Sequence, residues 1–352
     1  MKQLRNNVIR AGLEALYLSG AHHLLRPIFA GVGTIFTLHH VRPPRDGKFQ
    51  PNRHLEVAPE FLRAMLSHVR SRDIDIITMD ELHSRLGEHN FSRRFACFTF
   101  DDGYRDNRDF ALPIMKEFKA PFTVHVASDF AEGVGRLWWI ALEAVIRRAD
   151  SIEVAIAGSI SRFDTSTPSA KQAAFDRLHG HLRRLPSRHD LEREIDALCA
   201  RYGVDHTAIC REHCMSWEEL KSVANEPLVA IGAHSVSHCS LAIEREETAR
   251  GEMAASRTRI ENALQQPVAH FAYPYGDRHA AGAREFALAR ACGFSTAVTT
   301  RPGMIFPENA AHLTALPRVS LNGNYQDERI LPVLTSGAAT AMWNCFRRVG
   351  AA

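Results

Sequence analysis

The feature that most constrains the fold is the alternation of apolar, strand-like runs with helix-like runs along most of the chain. Connections between parallel strands are long and usually helical, so this alternation is typical of a parallel β/α architecture. The predicted strands are residues 34–38, 74–77, 95–100, 122–126, 228–231, 268–273 and 294–299. The predicted helices begin at Pro59 and Met215 and cover residues 109–118, 244–264 and 281–291.

The alternation stops over residues 131–213. This segment contains LWWIAL at 137–142 and two charged stretches with helical patterning, at 171–184 and 188–201. We predict a helical insertion between elements of the sheet. At the end of the chain, residues 330–352 carry apolar groups at mixed spacing, which fits either a docked helix or a frayed tail.

Two adjacent carboxylates end one predicted strand, because residues 98–104 read FTFDDGY. An apolar strand followed at once by Asp-Asp-Gly breaks into a loop at that point. Adjacent residues of an extended chain point in different directions, so Asp101 and Asp102 can take different roles, one binding a metal and the other handling protons. For an isolated Asp-Asp-Gly, an Asp-rich turn is the commoner explanation.

A histidine pair follows another predicted strand, where residues 231–238 read IGAHSVSH. His234 and His238 can converge on one cation with a carboxylate as third ligand, which leaves a position for water. Some pairs at this spacing arise by chance in a chain with 19 histidines. A third segment, FAYPYG at 271–276, is a strand end followed by a rigid turn, which fits either a site or a packed aromatic turn.

These three segments, in this order, make the chain resemble the polysaccharide deacetylase family, also called carbohydrate esterase family 4, whose shared unit is the NodB homology domain. The resemblance covers roughly residues 33–325, and FAYPYG matches a variant of the family's third motif. Smaller similarities lie in TLHH at 37–40, MSWEEL at 215–220 and LPRV at 316–319.

The resemblance implies a distorted (β/α) barrel. We expect an N-terminal helical extension at residues 1–30, a deacetylase barrel domain at 31–325 that contains the insertion, and a C-terminal tail at 326–352.

The resemblance also implies the roles of the site residues. Asp101 is the expected general base. Asp102, His234 and His238 are the expected ligands of a divalent metal, for which Zn²⁺ is the first choice. Such an ion activates a water and polarises the acetyl carbonyl. The backbone N–H of Tyr275 is the expected donor to the oxyanion.

The sequence departs from the family pattern at two positions. Ala272 stands where the family has an arginine that orients the base, and Arg318 stands where the family usually has its acid histidine. We predict that Arg318 reaches Asp101 from another strand and replaces the missing arginine. The general acid then has no assigned residue. His40 and His125 are the candidates, although a buried, hydrogen-bonded histidine explains either one alone.

Aromatic residues give the candidates for substrate contact. Trp138 and Trp139 begin the insertion, where they either stack on pyranose rings or anchor the insertion to the barrel. Tyr273 in the third motif is a further substrate-binding candidate, with His40, His125 and Trp138. An insertion at the carboxyl ends of barrel strands would shape the substrate groove.

Composition favours a globular enzyme, with 352 residues of which 45% are hydrophobic and 24% charged. A net charge of +3 with scattered basic residues argues against nucleic acid as a partner. Seven cysteines without scaffold-like spacing favour a reducing compartment, and we expect a cytoplasmic protein. Residues 8–29 form either a basic amphipathic helix on a membrane surface or a helix packed on the barrel.

The sequence therefore predicts a metal-dependent hydrolase that removes acetyl groups from N-acetylated sugars, in oligosaccharides or polysaccharides that contain N-acetylglucosamine. Hydrolysis of O-acetyl esters at the same site is the close alternative. A barrel that only binds glycan belongs to a different class, and the presence of all four central residues argues against it. A phosphate-handling metal enzyme is a remote third reading, since no second set of metal ligands is evident.

Overall fold

The computed structural model describes residues 2–156 and 159–348 and contains twelve strands in that part of the chain. The strands are β1 (Gly33–Leu38), β2 (His40–Val41), β3 (Glu56–Val57), β4 (Asp75–Ile76), β5 (Phe95–Phe100), β6 (Phe122–Val126), β7 (Ser151–Ile156), β8 (Ser159–Asp164), β9 (Val229–Ala233), β10 (His270–Ala272), β11 (Thr296–Pro302) and β12 (Leu316–Ser320).

Seven of these strands close into a parallel barrel. Their order around the barrel is β1-β12-β11-β10-β9-β6-β5, and β5 pairs again with β1 to complete the ring. The short strand β4 pairs with β5 outside the ring. This arrangement confirms the predicted (β/α) barrel.

Helices surround the barrel and cover its ends. They are α1 (Lys2–Leu18), α2 (Ala21–Phe29), α3 (Pro59–Ser71), α4 (Met79–Gly87), α5 (Leu112–Glu117), α6 (Ser128–Ala131), α7 (Trp138–Arg148), α8 (Pro168–Leu182), α9 (Arg188–Tyr202), α10 (His206–His213), α11 (Trp217–Ala224), α12 (Glu246–Leu264), α13 (Ala283–Ala291), α14 (Leu331–Thr335) and α15 (Ala338–Trp343).

The side chains of the barrel strands alternate between two sides, as the two-residue period of a strand requires. Outward residues such as Phe36 and Phe98 form one apolar cluster with surrounding helices such as α3 and α12. Inward residues such as Ile35, Cys97 and Leu316 form a separate cluster with α4. Asp101 lies four residues after Cys97, so its side chain points to the same side of β5, toward the barrel interior.

The segment between β6 and α11 packs its own apolar residues into a third cluster, which includes Trp138, Trp139 and Phe175. It contains the helices α7 to α10 and an antiparallel hairpin formed by β7 and β8. The sequence analysis predicted helices here and missed the hairpin. The residues of β8 are mostly exposed and do not alternate regularly between apolar and polar types, so the sequence pattern for a strand was weak there.

The two ends of the chain pack against each other. Helices α1 and α2 contact α14 and α15, and Leu13 of α1 is buried in the outer cluster. The C-terminal segment therefore contains docked helices as far as the structure describes it. Within the described ranges the helices are all too short or too polar to cross a bilayer. The predicted domain boundaries and the predicted membrane contact stay predictions.

The packing of the outer cluster predicts the cost of deleting one of its rings. Phe98 is buried and lies 5.2 Å from Phe36 between ring centroids. Phe98→Ala should lower the free energy of unfolding by about 3–5 kcal/mol, because the lost burial is accompanied by a cavity. Urea denaturation measures this loss.

Phe110→Ala is the matched control, since Phe110 is 38% exposed. It should cost well under half as much as Phe98→Ala. Equal losses at the two positions would show that Phe98 is not a core residue of the barrel.

Candidate metal and catalytic site

The predicted site residues meet at the carboxyl end of the barrel. Asp101 and Asp102 directly follow β5, and His234 directly follows β9. Tyr275 lies three residues after β10, and Arg318 lies within β12. Because all these strands are parallel, their carboxyl ends open on the same side of the barrel, which brings distant parts of the sequence together.

Asp102, His234 and His238 form one compact group. The Oδ1 atom of Asp102 lies 3.4 Å from Nε2 of His234 and 3.2 Å from Nε2 of His238. One ligand atom from each residue lies within 4.8 Å of the others, and all three side chains are buried. The structure thus brings together the three residues predicted as metal ligands.

The donors in this group fit a divalent cation. Oδ1 of Asp102 is buried and has no hydrogen-bond partner within the described part of the chain. Nδ1 of His234 lies 2.6 Å from the carbonyl oxygen of Ala272, so Nδ1 carries the proton and Nε2 offers its lone pair to the group. A carboxylate and two imidazoles are a common ligand set for Zn²⁺, and they leave a position for water.

The backbone around the group adopts conformations that non-glycine residues rarely adopt. Asp102, Ser235, His238 and Tyr275 have φ angles of 75°, 62°, 58° and 62°. Each such residue costs of order 1 kcal/mol and is retained where the surrounding contacts fix it, often at functional sites. Two of these residues, Asp102 and His238, belong to the group of three side chains described above.

Glu252 of α12 fixes the histidine loop. Its carboxylate accepts hydrogen bonds from the backbone N–H groups of Val236 and Ser237 and from the Ser237 hydroxyl. Within the loop, Ser235 Oγ accepts a hydrogen bond from the backbone N–H of His238. Glu252 was not predicted from the sequence, because no local pattern links α12 to the loop 15 residues before it.

Asp101 is held by Arg318, as the sequence analysis predicted. Nη1 of Arg318 donates to Oδ1 at 2.8 Å and Nη2 donates to Oδ2 at 2.6 Å. Arg318 also donates to the carbonyl oxygen of Thr299 and to Thr99 Oγ1. Burial alone would raise the pKa of Asp101, but the Arg318 charge, the hydrogen bonds from His125 and Arg318 and the charge of His234 together outweigh burial and hold this pKa well below its usual range. Asp101 is therefore ionised at neutral pH.

His125 also contacts Asp101, with its Nδ1 atom 3.2 Å from Oδ1. Its burial outweighs the attraction of Asp101 and lowers its pKa to about 4, so the ring is neutral at pH 7 and donates its Nδ1 proton to the carboxylate. Gly232 makes room for the ring, since a Cβ at that position would lie 2.4 Å from Cδ2 of His125. This contact makes His125 a support of Asp101.

Two predicted substrate contacts lie away from the site opening. His40 is buried, with Nδ1 2.6 Å from Asp106 Oδ2 and its ring stacked on Tyr104. Tyr273 is 1% exposed and donates its hydroxyl proton to the carbonyl oxygen of Thr314. Tyr273 belongs to the outward series of β10 and its extension, so it packs between barrel and helices instead of facing a glycan.

The structure places a different histidine, His39, in the site. His39 follows β1 at the carboxyl end of the barrel and is partly exposed. Burial lowers its pKa, while the charges of Asp102 and Asp101 act in the opposite direction. The sequence analysis chose His40 from the pair at 39 and 40. In β1, every second residue from Ile35 points into the barrel, and this alternation places Thr37 and then His39 on the inward side. That pattern was the sequence signal for His39.

The insertion covers the group formed by Asp102, His234 and His238. Nε1 of Trp138 donates to the Tyr275 hydroxyl at 2.8 Å, and the Trp139 ring centroid lies 5.0 Å from that of His238. The Arg183 guanidinium lies 3.6 Å from the centroid of the Tyr275 ring. Both tryptophans are buried, so in this conformation they join the insertion to the barrel, as one of the two sequence interpretations held.

Comparisons with known proteins agree with this architecture. A family model described as polysaccharide deacetylase matches residues 188–297, which include the histidine pair and the FAYPYG segment. The match confirms the resemblance to that family, while the variant subgroup remains a prediction. No curated protein matches the chain at a significant level.

Among solved structures, the chain is similar to the deacetylase PplD of Streptococcus pyogenes in complex with acetate, at 16% identity and a TM-score of 0.56, covering 83% of this chain and 92% of that one. It is also similar to IcaB of Ammonifex degensii, at 18% identity and a TM-score of 0.54, covering 86% and 97% of the two chains. A polysaccharide deacetylase of Bacillus cereus gives 15% identity, a TM-score of 0.55 and coverages of 86% and 68%. These likenesses show the fold.

The geometry predicts different effects for the two adjacent aspartates. Asp102→Asn should weaken binding of Zn²⁺ by about a hundredfold or more, because it removes a charged ligand. Asp101→Asn should retain the metal, because Asp101 faces Arg318. Calorimetric titration of the chelator-treated variants with Zn²⁺ measures both affinities. Equal weakening in the two variants would contradict this division of roles.

Proposed function

We propose, from the premise that the chain carries a polysaccharide deacetylase domain, that it is a metal-dependent enzyme that removes acetyl groups from N-acetylated sugars. The observation that carries the proposal is the buried group of Asp102, His234 and His238 beside an ionised Asp101. We take oligosaccharides or polysaccharides containing N-acetylglucosamine as the substrate class.

Asp102, His234 and His238 would hold the ion, and Zn²⁺ suits their donor atoms. A divalent ion bound there supplies Lewis acidity, which lowers the pKa of a water toward neutrality and polarises the acetyl carbonyl. The carbonyl of Ala272 orients His234 for this role.

Asp101 takes the proton of the attacking water in this proposal. A general base needs to be ionised and close to the reacting water, and Asp101 is ionised and adjoins the ligand Asp102 in sequence. Arg318 orients the carboxylate through two parallel hydrogen bonds, and His125 supports it from the other side. Arg318 is thus a positioning residue for Asp101.

The backbone N–H of Tyr275 would donate to the developing oxyanion. Tyr275 has a left-handed φ of 62° in the turn after β10. Its hydroxyl accepts a hydrogen bond from Trp138, and the Arg183 guanidinium packs on its ring. A donor whose position is fixed before the reaction stabilises the transition state without reorganisation.

His39 is the residue we propose as general acid for the departing amine. It lies at the carboxyl end of the barrel, next to β1, and its imidazole has no hydrogen-bond partner within residues 2–156 and 159–348. His40 and His125 each have a carboxylate partner that occupies Nδ1. This assignment replaces the two candidates taken from the sequence.

Hydrolysis of O-acetyl esters uses the same base and the same ion, so it stays the alternative reaction. A barrel that only binds glycan would need neither an ionised base nor a set of metal donors with an uncompensated carboxylate oxygen.

The test is release of acetate from a panel of N-acetylated chitooligosaccharides, peptidoglycan and acetylxylan, with and without chelator. We expect release from the amide substrates, its loss with chelator and its return with added Zn²⁺. Release from acetylxylan alone would establish the ester reaction. No release from any member by the metal-loaded protein would contradict the proposal.

The ion pair predicts a pH effect. Arg318 lowers the pKa of Asp101, so Arg318→Ala should let that pKa rise and protonate the base at higher pH. The acidic limb of the pH–rate profile should move to higher pH, and turnover should fall by about a hundredfold. Arg318→Lys keeps the positive charge, so its acidic limb should lie between those of the parent chain and Arg318→Ala. An unchanged acidic limb in a folded, metal-loaded Arg318→Ala variant would contradict the assigned role.

The acid assignment predicts a dependence on the leaving group. His39→Gln should slow hydrolysis of an N-acetylated sugar by about 10²–10⁴-fold, because an amine needs a proton to depart. Hydrolysis of an aryl acetate should change little, since a phenolate departs without one. Parallel rate measurements on the two substrates check this. Equal losses on both would show that His39 acts on another step.

A further inference from the structure

A pocket rich in basic side chains lies at the opposite end of the barrel, between α2, α3 and α14. The pocket is lined by six basic side chains, and no carboxylate is among the lining residues, which include His22, His23, Arg26, His68, Arg72 and Arg94. Arg94 immediately precedes β5 and Asp101 immediately follows it, so the length of that strand separates the pocket from the catalytic end by roughly 20 Å.

Arg94 forms the inner wall of the pocket. Its guanidinium donates to the carbonyl oxygens of Ala30, Gly31 and Thr335, which ties three segments together. Burial, followed by the charge of Arg26, lowers the pKa of Arg94 to about 10. Backbone dipoles therefore hold Arg94 in place, and its net charge is not cancelled by a carboxylate.

His68 lies close to the same positive charges. Burial, followed by the charges of Arg72 and Arg26, lowers its pKa to about 4. The ring is therefore neutral at pH 7, with Nε2 3.0 Å from Thr335 Oγ1. The charged neighbours that shift Arg94 and His68 are all cations.

Arg26 and Arg72 distinguish the pocket from an ordinary structural arginine site. Neither has an ion pair within the described residues, and both lie at the pocket rim. A structural role accounts for Arg94, but it gives no reason to place two more unpaired guanidinium groups around it.

We propose that this pocket binds a phosphate group. Arginine forks match the oxygens of phosphate through pairs of charge-assisted hydrogen bonds, and neutral imidazoles add further N–H donors. A phosphate would supply the negative charge that the lining lacks. The site is separate from the deacetylase centre and independent of the proposed reaction.

Two sources present this chemistry, a soluble phosphate and the headgroup of an anionic phospholipid. Helix α2 favours a lipid headgroup as the source, because it carries exposed apolar side chains next to its pocket residues. Leu24 is 80% exposed and Ile28 is 53% exposed. An amphipathic helix with arginine beside apolar residues can lie at a membrane surface.

The first measurement is calorimetric titration of the 352-residue chain with inorganic phosphate at constant pH and ionic strength. We expect binding that weakens by about tenfold or more in Arg26→Gln and in Arg72→Gln. Arg290→Gln is the control, since it removes one exposed charge on α13, outside the pocket. All three variants should retain the thermal stability and acetate release of the parent chain.

The second measurement is co-sedimentation with phosphatidylcholine vesicles, with and without phosphatidic acid. Binding only to the anionic vesicles, lost in Arg26→Gln and in Leu24→Ser/Ile28→Ser, identifies a lipid headgroup. Phosphate binding that Leu24→Ser/Ile28→Ser leaves unchanged, without vesicle binding, identifies a soluble ligand. The proposal is overturned if neither millimolar phosphate nor anionic vesicles bind, or if Arg290→Gln weakens binding as much as the pocket variants.

Discussion

The buried ion pair between Arg318 and Asp101 is the interaction on which the site depends. Two charges removed from water carry a large desolvation cost, which their attraction offsets only when the geometry is good and the remaining polar atoms are satisfied. Both conditions hold here, because the pair is bidentate and Arg318 also bonds Thr99 and Thr299. The pair joins the end of β5 to β12 through the barrel interior and leaves Asp101 in its ionised form.

The two aspartates illustrate how neighbouring residues acquire different chemistry. Asp101 ends the inward series of β5 and faces a guanidinium, whereas Asp102 turns through a left-handed φ of 75° toward two imidazoles. The same change in backbone direction separates the proposed proton acceptor, Asp101, from the three residues proposed to bind the ion. The different surroundings of Asp101 and Asp102 therefore originate in the backbone conformation at the end of β5.

Much of this arrangement was predictable from the sequence because its elements carry strong local patterns. The apolar runs predicted the barrel strands, and strand ends predicted where Asp101, Asp102 and His234 would meet. The prediction that Arg318 reaches Asp101 required the family resemblance, since no local pattern relates residues 217 positions apart.

Other features depend on contacts that a linear reading does not contain. The β7–β8 hairpin lacks apolar alternation in its second strand, and Glu252 reaches the histidine loop from a separate helix. Choosing His39 over His40, and excluding Tyr273, required the inward or outward direction of each strand residue. A shift of one residue reverses that direction, so small errors in strand phase change the predicted site.

The most direct test of the account is a crystal structure of the chain grown with Zn²⁺, with the ion located by anomalous scattering at its absorption edge. The account predicts one ion at the carboxyl end of the barrel, within about 2.0–2.2 Å of an Asp102 oxygen and of Nε2 of His234 and His238. It also predicts that Asp101 remains paired with Arg318. An ion bound elsewhere, or bound through Asp101 with Arg318 displaced, would contradict it.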